Sequence, residues 1–130
     1  MTLFTLEEAE AMLSQVREQL TAMQAAKREL DELREALGEV VHKAAGNGHV
    51  TREDRLGEQR QRAEALAATL NAGLERFQAW GVEIKGIDEG LVDFPSEREG
   101  RVVYLCWRLG EEGIGWWHEL ETGFAGRQPL

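Results

Sequence analysis

The sequence predicts an α+β chain: a long antiparallel two-helix coiled-coil hairpin over residues 1–80, then a small antiparallel β meander of three or four strands over residues 81–130. Three observations carry that expectation. Apolar residues step by threes and fours through the first part, the period of a helical seam. One stretch, Ala44-Ala-Gly-Asn-Gly-His-Val50, interrupts the seam with turn-forming residues. Beyond Gly81, β-branched and aromatic residues come in short runs broken by Pro95, Gly100, Gly110 and Gly113.

The first helix is expected from about residue 6 to 43. Thr5-Leu-Glu-Glu8 has the capping-box pattern, in which a hydroxyl and a carboxylate three residues apart satisfy each other's backbone amides. Phe4, just before it, is placed to staple onto the first turn. Leu6, Ala9, Leu13, Val16, Leu20 and Met23 form the seam, which continues through Ala26, Leu30, Leu33, Leu37 and Val40 after one extra three-residue step. A helix of that length spans about 60 Å.

A second helix is expected over residues 51–80, opened by a weaker cap at Thr51–Asp54 and closed by Gly81. Its seam is Leu56, Gln59, Ala63, Leu66, Leu70, Gly73, Phe77 and Trp80. Two long helices joined by so short a loop run antiparallel. Further small residues off the seam (Ala22, Ala25, Ala36, Ala67, Ala68, Ala72) widen the apolar face, which suits a homodimer through the helical arm. His42 and His49 flank the turn, but their spacing fits no metal-ligand pattern and they read as solvated.

In the β lobe, Val82–Ile87, Leu91–Phe94, Val102–Leu109 and Ile114–Leu120 read as strands, with Pro95–Arg101 as a loop and the tail from Gly123 as irregular. A lobe of this size cannot bury enough surface alone, so one sheet face is expected to dock on the base of the arm near Phe4, Leu6, Phe77 and Trp80. In the longest strand Val103, Leu105, Trp107 and Leu109 share the expected core face, and Val102, Tyr104, Cys106 and Arg108 share the other.

The chain carries a net charge of −9, with 5 basic and 10 acidic residues in 81–130 against 10 and 14 before it. An acidic surface argues against nucleic-acid binding, which depends on neutralising phosphates. No apolar run approaches the ~20 residues of a membrane span, and the acidic start MTLFTLEEAEAM is unlike a signal peptide. A single Cys forms no intrachain disulfide, which suits a reducing cytoplasm.

The motifs GLVDFP, VVYLCWRLGE and WWHELETGFAGRQPL, behind a helical half that starts FTLEEAEAML, resemble the bacterial domain of unknown function 2203 family over essentially the whole chain. The resemblance implies this architecture and brings no catalytic residue set with it.

Three readings of the polar residues in the β lobe follow. Asp93, Cys106 and His118, with Glu119 or Glu121, supply carboxylate, thiolate and imidazole, the ligand types of zinc or iron, although no CxxC or HExxH spacing orders them. Cys106 with His118 as base would instead make a nucleophile, but a mid-strand Cys between Leu105 and Trp107 reads as a buried inert thiol. The third reading is structural, with Arg108 paired to Asp93 or Glu119 and the adjacent Trp116 and Trp117 pointing to opposite faces. Tyr104, Arg108, Trp116, Trp117, Phe124 and Arg127 would then form a contact surface for an unidentified protein partner. The expectation is a non-enzymatic interaction and oligomerisation module that requires no cofactor, with a small metal-binding protein or metal-dependent enzyme as the alternative.

Overall fold

In the computed structural model, the backbone is described for residues 1–47 and 53–130, and side-chain burial for 1–38 and 55–130. Helix α1 (Leu6–Asn47) and helix α2 (Glu53–Trp80) precede strands β1 (Glu83–Gly86), β2 (Leu91–Arg98), β3 (Arg101–Arg108), β4 (Trp116–His118) and β5 (Gln128–Pro129). A short 3-10 turn, Phe124–Gly126, lies between β4 and β5. The strands form one antiparallel sheet in the order β1-β2-β3-β4-β5, a meander in which every strand neighbours its successor. Helix α1 runs through Asn47, past its expected end near residue 43, so residues 44–47 of the expected turn are helix, and Glu53 and Asp54 of the expected cap already belong to α2. Residues 48–52 and the side chains of His42 and His49 lie outside the described residues. Among the described residues no helix is long and apolar enough to cross a membrane.

The chain divides into two compact units, Met1–Gln24 with Gly73–Leu130, and Ala25–Ala72. In the first, the capping box forms as its residue types require: Thr5 N–H donates to Glu8 Oε1 at 2.9 Å and Glu8 N–H to Thr5 Oγ1 at 3.0 Å. Phe4 packs edge-on against Phe94 in β2, with ring centroids 5.4 Å apart. Ala9, Leu13, Val16, Leu20 and Met23 are all buried along the seam. Gln19 meets Arg76, and Met23 meets Gly73, where a β-carbon would lie 2.6 Å from the Met23 sulfur. Gly73 is therefore the hole that admits Met23, and the two helices run antiparallel here. Val82 N–H donates to the Phe77 carbonyl at 3.1 Å across Gly81, whose φ of 81° closes α2 as a Schellman turn.

In the second unit Ala26, Leu30 and Leu66 form a buried cluster, with Leu33, Ala63, Ala67 and Leu70 packed against it. The Arg62–Glu29 ion pair flanks this cluster.

The sheet's core face carries Val92, Phe94, Val103, Leu105, Trp107 and Trp117, all buried. Arg17 of α1 lies 5.5 Å from the Trp107 ring centroid, and the Trp107 indole N–H donates to the Glu111 carbonyl at 3.1 Å. The first unit thus brings this face against the start of α1.

Two expectations about the sheet need correction. Residues 95–98 are strand, not loop: β2 runs through Pro95, which lies opposite Tyr104. The Pro95 carbonyl accepts from the Phe4 amide at 2.7 Å, away from β3, so the N–H that proline lacks would also have faced away from that ladder. The loop shrinks to Glu99-Gly100, both at positive φ (52° and 79°), as a two-residue hairpin turn requires. The tail likewise contributes an edge strand, β5, paired with β4.

Candidate metal centre

Strand alternation and register build the site. In β2, Leu91, Asp93 and Pro95 share one face; in β3, Tyr104, Cys106 and Arg108 do; in β4, Trp116 and His118 do. Asp93 is directly opposite Cys106, Cys106 opposite Trp116, and Tyr104 opposite His118. The face away from the core therefore collects a carboxylate, a thiol and an imidazole from three neighbouring strands. One ligand atom from each of Asp93, Cys106 and His118 lies within 4.8 Å of the others, and the three residues are 1%, 0% and 1% exposed.

The His118 ring is held at both nitrogens. Nδ1 is 2.7 Å from the Glu119 carbonyl oxygen, which can only accept, so Nδ1 carries a proton and donates. Nε2 faces Asp93 and lies 3.0 Å from both carboxylate oxygens. A neutral imidazole has only one N–H, already used. A cation must therefore stand between Nε2 and the carboxylate, either a proton or a metal ion. Burial pushes the Asp93 carboxyl above its ordinary range, opposed mainly by the His118 imidazole. Burial and the Asp93 charge push the Cys106 thiol up to about 11, while Arg127 pulls the other way. Among the described residues no buried side-chain nitrogen or oxygen lacks a hydrogen-bond partner.

Around the trio lie two further pairs. Lys85 sits 4.7 Å over the Tyr104 ring, and Tyr104 leans on His118 with centroids 5.4 Å apart. The Tyr104 hydroxyl donates to Glu83, and that bond, aided by burial, raises the phenol to about 12. Burial lifts the Glu83 carboxyl, yet the Tyr104 and Lys85 contacts outweigh it and leave the group below its usual value. On the other side Arg127 reaches the Cys106 sulfur and pairs with both carboxylate oxygens of Glu111, at 3.3 and 3.0 Å.

Of the other expected ligands, Glu119 contributes its backbone carbonyl to His118, while its carboxylate pairs with Arg101. Glu121 is exposed and stands outside the cluster. The expected pairing of Arg108 with Asp93 or Glu119 does not form. Register sets Arg108 opposite Leu91, and its guanidinium lies 5.8 Å from the Phe124 ring centroid. Of the expected contact residues, Arg108 and Phe124 are exposed, and Trp116 and Arg127 are half-buried and stacked 4.6 Å apart. Tyr104 and Trp117 are buried, the latter beneath Arg98 at 4.5 Å. Glu83, Lys85 and Glu111 were not singled out from the sequence. For Glu111 the signal was its position in a glycine-bounded turn straight after β3.

A family model described as an uncharacterized conserved protein (DUF2203) matches residues 2–130. The chain belongs to the DUF2203 family. No curated protein and no solved structure matches this DUF2203 chain.

Proposed function

We propose that this DUF2203 chain is a metal-binding protein whose centre is Asp93, Cys106 and His118. The observation that carries the reading is the pinned His118 ring. An N–H to a backbone carbonyl at one nitrogen, with the other nitrogen facing a carboxylate that shares its cluster with a thiol, is how metal-ligating histidines are oriented. The mixed oxygen, sulfur and nitrogen set favours a borderline ion, zinc or ferrous iron, over magnesium or calcium, which take oxygen ligands. Three protein ligands leave one position of a tetrahedral shell for a further group. The test is titration of cobalt(II) into untagged, chelator-treated protein. A thiolate-to-cobalt absorption saturating at one equivalent is expected; no such band up to a large excess of cobalt overturns the reading.

A second reading, an interaction module that dimerises through the helical arm, has its own support. Leu3, Leu6 and Leu130 are exposed and line a groove together with Phe4, Val103 and Leu105 and the polar Ser96, Glu97 and Arg98. In the second unit Ala25, Ala68 and Ala72 are exposed off the seam. Sedimentation is expected to give twice the 14.6 kDa chain mass, reduced to the single chain by Ala68→Glu. A monomer at every concentration rules this reading out.

A further inference from the structure

The metal reading leaves Arg127 without a role, although the whole tail is organised around it. Its guanidinium is clamped between the Trp116 ring (4.6 Å) and the Phe124 ring (4.3 Å), and its ion pair with Glu111 leaves the two side chains only 17% and 26% exposed. From there it lies beside the Cys106 side chain, which the register sets directly opposite Trp116. The backbone on either side is fixed too. Arg127 N–H donates to the Phe124 carbonyl at 3.2 Å and Leu130 N–H to the Gly115 carbonyl at 3.0 Å, while Gln128 pairs with Trp117. Gly123, at φ 64°, turns the chain back so that these contacts can form. The eight residues of the tail thus hold one cation beside one sulfur.

Resting on the metal reading above, we propose that Arg127 is a positioning residue for that centre. Its N–H holds the Cys106 thiolate in place and balances its charge, and the tail from Gly123 to Leu130 is the centre's outer shell. A thiolate carrying a metal remains electron-rich and accepts hydrogen bonds from outside the coordination sphere. Such outer contacts orient the ligand and raise affinity. Glu111 acts at one remove, holding the guanidinium in place through its ion pair. Because Arg127 lies beside Cys106 and leads directly into β5, metal occupancy and tail order are coupled, and each must favour the other.

The experiment has two arms, both on the full untagged chain with cobalt(II) and zinc as probes. In the first, Arg127→Gln is expected to weaken cobalt binding by roughly 10- to 100-fold at unchanged stoichiometry, and to shift the thiolate-to-cobalt band. Arg127→Lys, which keeps charge but loses the planar fork, should fall between it and the parent. In the second, zinc loading of the unmodified chain is expected to slow amide exchange at Arg127 and Leu130, an arm that needs no variant to fold. If the parent loads metal while Arg127→Gln binds as tightly, shows the same band, and tail exchange ignores zinc, the role of Arg127 is overturned and the metal centre stands. If the parent takes up neither metal, the centre itself is refuted and this role with it.

Discussion

Cys106→Ser is expected to lower cobalt(II) and zinc affinity by more than about 100-fold, since it removes a ligand rather than one of the outer contacts that are themselves worth roughly 10- to 100-fold. Serine is close to isosteric, and its hydroxyl can donate to Asp93 as the thiol does, so the fold should survive with a loss on the order of 1 kcal/mol. His118→Ala should be as severe for metal and worse for stability. It opens a cavity where the ring is fully buried and leaves Asp93 without its main partner. Because the three ligands act as one unit, the double variant Cys106→Ser/His118→Ala should lose little more metal affinity than either single one. Isothermal titration of the folded variants measures all three. Unchanged affinity in Cys106→Ser would remove the sulfur from the centre.

Trp107→Ala is expected to cost about 3–5 kcal/mol of folding stability, a large share of the ~5–15 kcal/mol that a domain has. The ring is 0% exposed, fills the sheet's core face beneath Arg17, and anchors the β3–β4 connection through its bond to the Glu111 carbonyl. Loss of that bond also loosens the turn that presents Glu111 to Arg127. Trp107→Phe keeps most of the apolar volume and should cost less than half as much. Urea unfolding followed by far-ultraviolet circular dichroism gives both values; a loss under 1 kcal/mol for Trp107→Ala would show that this face is not the core.

Much of the architecture was written locally and could be read locally. The capping box at Thr5 and Glu8, the stop at Gly81 and the buried seam from Ala9 to Met23 each depend on residues within a few turns of one another. The alternation in β3 likewise separates Val103, Leu105 and Trp107 from Tyr104 and Cys106 without knowledge of any partner strand. Pro95 was misread because its effect on a strand depends on which side its missing donor would face, and that is set by the distant Phe4 amide. The ligand types of the site were visible, but their convergence was not. Only the register that sets Asp93 against Cys106 and His118 against Tyr104 joins them, and a slip of one residue would have turned Asp93 to the core face. Arg127 could be read only as surface. Its approach to Cys106 arises from a tail that returns as β5, and nothing within the tail's own residues specifies a sulfur as its target.

The most direct measurement of the central claim is the metal content of the untagged protein as purified, paired with melting in the presence and absence of a strong chelator. About one equivalent of zinc or iron per chain, with a lower melting temperature after chelation, is the predicted result. Metal well below stoichiometry together with identical melting curves would contradict it, leaving a proton as the cation between His118 and Asp93.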